Sequence, residues 1–112
     1  MTEGPADRIR RVADPDPDMP AQLEEKTDRY ESLLAEALSE ATIASPEGSP
    51  LRAVAEEYRE MARSYLEDGR NFREADDPVN ALAAFSYGHA WLDAGARLGV
   101  FEVPAEGELF TV

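Results

Sequence analysis

The chain has 112 residues, no cysteine, and 24 acidic against 11 basic residues, for a net charge of −13. This length fits one domain, and the absent thiols exclude a disulfide framework, a thiolate metal centre and a cysteine nucleophile. No basic face is available for nucleic acid, and no apolar run approaches the roughly 18 residues of a membrane span.

The first residues, MTEGPADRIRRVADPDPD, lack the apolar centre of a signal peptide. A cytoplasmic protein without nucleic-acid or membrane partners is therefore expected. Lys26 is the one lysine; the other basic residues are arginines. Abundant carboxylates with almost no lysine fit a proteome in molar salt, as in haloarchaea, and the alternative is an acidic binder of a basic partner. Self-repulsion at this net charge strains a compact fold at low salt, and screening relieves it. Thermal melts should rise in midpoint from low to molar KCl; a flat midpoint would refute the high-salt reading.

Residues 1–18 carry Pro5, Pro15 and Pro17 and few large apolar groups, which predicts a disordered arm. Its basic cluster, Arg8, Arg10 and Arg11, is expected to fold back on the acidic body. A first helix is predicted over about 20–44, capped by Asp18 with Pro20 in its first turn. Leu23, Tyr30, Leu34, Ala37, Leu38, Ala41 and Ala44 form its amphipathic stripe. The run SPEGSP then breaks the chain.

Ser49 is a candidate cap, with Pro50 opening a second helix over 50–74. Its large apolar residues, Leu51, Val54, Tyr58, Met61, Tyr65 and Phe72, recur at helical spacing along its length. After the loop ADDP, Asp77 caps and Pro78 opens a third helix over 78–98, with Gly99 as a left-handed cap. Residues 100–112 are expected to form a short extended tail packed on the bundle, with no strong strand signal. The predicted fold is all-α, an up-down-up three-helix bundle spanning residues 19–99.

The third helix is the least charged. Ala81, Ala84, Gly88 and Gly95 line up as a narrow groove of small side chains. Phe85 and Leu92 wall one side of it, and Tyr87, Trp91 and Leu98 the other. Such a groove admits a neighbouring helix closely, which offsets the roughly 1 kcal/mol that each helical glycine costs relative to alanine. The opposite face carries Leu82, Ser86, His89, Ala90, Asp93 and Arg97. An outer face with so little charge is normally covered by something, either the tail or a protein partner, which includes a second copy.

His89, Asp93 and Arg97 follow at i, i+4 and i+8, so Asp93 can pair with either neighbour. With Asp68 of the second helix, His89 and Asp93 suggest an alternative, a small catalytic or metal-binding site. One histidine among abundant carboxylates is a weak metal signal, and no metal is assigned. No phosphate loop, cofactor motif or activated nucleophile is present.

The pieces SYLEDG (64–69), DDPVNALAAFSYGHAWLDAG (76–95) and LGVFEV (98–103) resemble an archaeal family of short helical proteins known only as domain of unknown function 357. The resemblance covers Tyr58 onward well and the first helix more loosely, and it omits the N-terminal arm. It implies a small helical bundle of archaeal, and with this composition haloarchaeal, origin. It implies no activity. A non-enzymatic protein–protein interaction module using the outer face of the third helix is the expected function.

Overall fold

The structure, a computed structural model, describes residues 19–104 and Phe110. Three helices, α1 (Met19–Glu40), α2 (Pro50–Glu74) and α3 (Pro78–Leu98), pack together. Two short strands, β1 (Thr42–Ile43) and β2 (Phe101–Glu102), pair antiparallel. The N-terminal arm, its arginines and the Asp18 cap lie outside the described residues, as does the tail apart from its first residues and Phe110.

Both inner helix starts are set by short polar side chains. The Ser49 hydroxyl accepts from the Arg52 backbone N–H at 3.1 Å, and the Asp77 carboxylate accepts from Asn80 N–H at 3.2 Å. Each satisfies a donor that the first turn cannot pair internally, and each is followed by a proline at the first helical position. α3 stops at Gly99, whose φ of 87° is left-handed; Val100 N–H then donates back to the Gly95 carbonyl at 3.0 Å. α2 ends similarly, with Asp76 at φ 58° and Asp77 N–H reaching Phe72 O at 2.8 Å.

The end of α1 departs from the helical stripe. The helix stops at Glu40, and Thr42–Ile43 run as a strand beside Phe101–Glu102. Ala44 N–H extends the ladder by donating to Val100 O at 2.9 Å. Both the helix predicted to Ala44 and the reading of no strand are corrected here. The β-branched pair Thr42–Ile43 favours extended backbone, and β2 offers it a hydrogen-bonding edge that the local sequence cannot announce.

α2 runs antiparallel to both neighbours. Tyr58 meets Trp91 edge-on at 5.0 Å between ring centroids, and Tyr65 meets Tyr87 at 5.8 Å. Near the C-terminal end of α2, Arg73 donates to Glu31 at 2.8 Å and Glu24 at 2.7 Å of α1, and also to Asp28. Arg70 reaches Glu31 at 3.1 Å. Hydrogen bonds from Glu31 and then Asp28 hold the Arg73 guanidinium above its ordinary pKa, so it stays charged in the midst of α1 carboxylates.

Leu34, Phe85 and Leu92 are fully buried at the centre. Burial of each such side chain stabilises by about 1.5–3 kcal/mol. Ala81, Ala84, Gly88 and Gly95 are buried, as the small-residue groove predicts. A Cβ at Gly88 would lie 2.7 Å from Leu34 Cδ2 and 3.0 Å from Tyr65 Cβ, so both α1 and α2 depend on the missing side chain. At Gly69 and Gly95 an added Cβ would clash with the edges of the Phe85 and Phe101 rings.

Two features of the predicted packing are displaced. α2 buries Ala55, Ala62, Leu66 and Gly69, not its large apolar stripe. Leu51 is 55% exposed and Phe72 37%. On α3, the wall formed by Tyr87 and Leu98 stays open at 62% and 59% exposure, while Trp91 is half-buried. The reason is the place of α1. It covers the Phe85–Leu92 flank of α3 and leaves the other flank, together with the large residues of α2, without a third helix.

Candidate functional site

α3 divides the candidate residues between two depressions. The first is a cleft of about 480 Å³ between α1 and α3, lined by Arg29, Tyr30, Leu33, Ser86, His89, Ala90 and Asp93. Four of the six residues predicted for the outer face of α3 therefore meet here: Ser86, His89, Ala90 and Asp93. Leu82 lies one turn earlier, half-buried, its carbonyl accepting from the Ser86 hydroxyl at 2.9 Å. Arg97 is exposed at the last turn.

Within this cleft His89 Nδ1 stands 3.1 Å from Asp93 Oδ2. A carboxylate can only accept, so Nδ1 carries the proton in this contact. The other ring nitrogen, Nε2, is buried without a hydrogen-bond partner among the described residues. The Phe110 ring lies 6.0 Å from the imidazole and is itself 9% exposed. Phe110 thus lies in the core beside His89.

That arrangement bears on the catalytic alternative. A general base needs its free nitrogen within hydrogen-bond reach of a substrate proton, and here the free nitrogen is sealed from solvent. Asp68 does not join the pair. It is exposed on α2, one helical turn from Tyr65, on the flank that faces away from the α1–α3 cleft. Among the described residues no group of three or more His, Asp or Glu side chains is placed to hold a metal ion. The structure brings together His89 and Asp93 and leaves Asp68 outside.

The second depression is a groove of about 270 Å³ between α2 and α3, lined by Tyr58, Tyr87, Ala90, Trp91 and Ala94. It lies on the side opposite α1. Ala90 forms the ridge that separates it from the first cleft, since it lines both. The groove carries no charged side chain, and three of its five residues are aromatic. Sequence reasoning assigned Tyr87 and Trp91 to a packing wall and so missed the groove. The signal was present in the spacing: Ala84, Tyr87, Trp91, Ala94 and Leu98 step by three and four, as a helix does when it meets two neighbours, one on each flank.

The exposed positions of α3 between Val79 and Leu98 include one charge, Arg97, in a chain where 31% of residues are charged. Val79 is 65% exposed, so the open apolar face runs the length of the helix. No helix among the described residues is long and apolar enough to cross a membrane.

Residues 29–101, from the middle of α1 to the first residue of β2, match the family described as "Protein of unknown function (DUF357)", and the chain belongs to that family. No curated protein and no solved structure gave a match.

Proposed function

For this member of the DUF357 family we propose a non-enzymatic role as a protein–protein interaction module that docks through α3. One observation carries this reading: the outward face of α3 is exposed, apolar and almost free of charge, with Val79, Tyr87 and Leu98 each more than half exposed. Interface centres are depleted of charge and enriched in aromatic residues, and both properties hold here against a background net charge of −13. The sealed Nε2 of His89 and the separation of Asp68 from His89 speak against catalysis at the predicted polar site. The acidic, lysine-poor composition supports a cytoplasm of high salt, and archaeal origin rests on the family resemblance.

Two substitutions separate a face covered by the tail from a face left for a partner. Ala90→Glu puts a carboxylate on the exposed ridge. It should leave the melting midpoint within a degree or two, because exposed substitutions usually change stability by less than about 0.5 kcal/mol, and it should release the proteins that the wild-type chain retains in affinity capture. Phe110→Ala removes a buried ring, and large-to-small core changes of this kind cost about 3–5 kcal/mol; it should lower the midpoint and leave capture intact. Identical retained proteins for wild type and Ala90→Glu would remove the interaction reading.

A further inference from the structure

Apart from Leu66, the large apolar residues of α2 sit to one side of its buried row. Buried Ala55, Ala62, Leu66 and Gly69 mark the side packed against α1 and α3. Val54, Met61 and Tyr65 follow at half-buried positions and Phe72 is exposed. At about 100° per residue, this second row is turned roughly 80° from the buried row, on the side away from Leu66 and Arg73, which serve α1. α3 is built the same way, with Tyr87, Trp91, Ala94 and Leu98 on the matching flank. Two helices therefore offer a common apolar trough, about 30 Å long for a 21-residue helix, where a fourth helix of a bundle would lie.

The rim of this trough is acidic. Glu57 and Asp68 are exposed on α2, at helical spacing beside Met61 and Tyr65. Among the described residues neither has an ion-pair partner, whereas Glu24, Asp28 and Glu31 on the opposite side are engaged by arginine. A second copy of this chain would bring the same carboxylates, and a further net charge of −13, against that rim. Like charges brought together across an interface oppose association, and opposite ones favour it.

We propose that the α2–α3 trough receives an amphipathic helix from another protein, apolar along one stripe and flanked by lysine or arginine, which completes a four-helix layer. This inference rests on the reading of α3 as a docking element and adds the chemistry of the partner. Leu or aromatic side chains of the incoming helix fill the depression between Tyr58, Tyr87 and Trp91, and its basic flank meets Glu57 and Asp68. This is the helix-in-groove mode of recognition, with anchors at i, i+3, i+4 and i+7.

Trp91 is the chain's one tryptophan and lines the trough, so its emission reports occupancy directly. The probes are two synthetic 21-residue amphipathic helices with the same leucine stripe, one flanked by lysine and the other by glutamate, titrated into the full chain at low salt. The lysine-flanked probe should shift Trp91 emission to the blue. It should bind at least about tenfold more tightly than the glutamate-flanked one, a ratio that corresponds to about 1.4 kcal/mol. The ratio should narrow as KCl is raised, with the apolar stripe still holding both probes in molar KCl, and it should narrow likewise in the double variant Glu57→Gln, Asp68→Asn. Ala94→Arg, at an exposed position in the trough, should abolish binding without changing the melt.

Equal affinity for the two probes, or no emission change with either, overturns the proposal. So does a stable dimer of the chain alone, in sedimentation, that Ala94→Arg dissociates. If Ala90→Glu still releases captured proteins in any of these cases, the docking role stands and only the partner's chemistry falls.

Discussion

Gly88→Leu should lose about 3 kcal/mol or more of stability, since overpacking at a site closed on two sides lies at the upper end of such costs, while Ala90→Leu two residues away should change it by less than about 0.5 kcal/mol. The contrast follows from where the backbone runs. At Gly88 an added Cβ would meet both neighbours of α3, with the Ala62 carbonyl 3.2 Å from where it would stand. A backbone carbonyl cannot rotate aside as a side chain can. Leu34, on the α1 side, is fully buried, so any shift of its side chain must displace neighbours in a close-packed core. Ala90 is exposed on the ridge between two open depressions, where added bulk meets only solvent. For a domain of marginal total stability, the first substitution removes a large share of the folding free energy. Urea melts of the two variants decide the matter, and equal losses would place the groove on the wrong face.

Phe101→Ala should cost about 3–5 kcal/mol, the usual range for truncating a buried aromatic ring. Its ring is 4% exposed and occupies the space left open by Gly95, so truncation leaves a cavity bounded by a glycine that cannot fill it. Phe101 also carries the backbone pairing with Ile43. The expected melt is lower in midpoint with the slope in denaturant unchanged, because the ladder's hydrogen bonds need no side chain. A loss under about 1 kcal/mol would mean that the core closes without β2.

The helices were legible because their punctuation is chemical and local. Ser49 with Pro50, Asp77 with Pro78, and Gly99 each act within four residues, so a sequence read in short windows contains all that is needed. The short ladder was not legible. Two residues per strand leave no alternation to detect, and Ala41 and Ala44 continue the helical stripe beyond the point where the helix stops. Packing on α2 is hidden from the sequence for a different reason. Large apolar residues suggest burial, yet helices approach most closely over small ones, so Ala55, Ala62 and Gly69 hold the centre and the tyrosines line the seam. Thr27 shows the same effect on α1. It is fully buried despite its hydroxyl, because the hydroxyl donates to the Leu23 carbonyl at 2.7 Å and presents no unsatisfied group.

The candidate site was legible in part. The i, i+4 spacing of His89 and Asp93 on one helix was enough to pair them. Nothing local could show that Phe110 returns to His89 or that Asp68 falls on the wrong flank of α2, since both depend on how far each helix is rotated about its own axis. That rotation is set by the glycines and alanines at the crossing points and emerges only when all three helices are packed.

The ladder between β1 and β2 also orders the events of folding. Thr42 and Glu102 pair across the whole of α2 and α3, so their union closes a long loop and gains little until something else holds its ends together. The α2–α3 hairpin, joined by a turn of three residues and zipped by Tyr65–Tyr87 and Tyr58–Trp91, needs no such closure. Once formed, it brings the start of α2 beside the end of α3, and the two strand segments become neighbours without further search. The hairpin is thus the element suited to nucleate the chain, and the ladder is a clasp shut afterwards. Contacts made after the rate-limiting step slow unfolding and leave the folding rate alone, so the stability lost in Phe101→Ala should appear as a faster opening of a protein that still folds at its original speed.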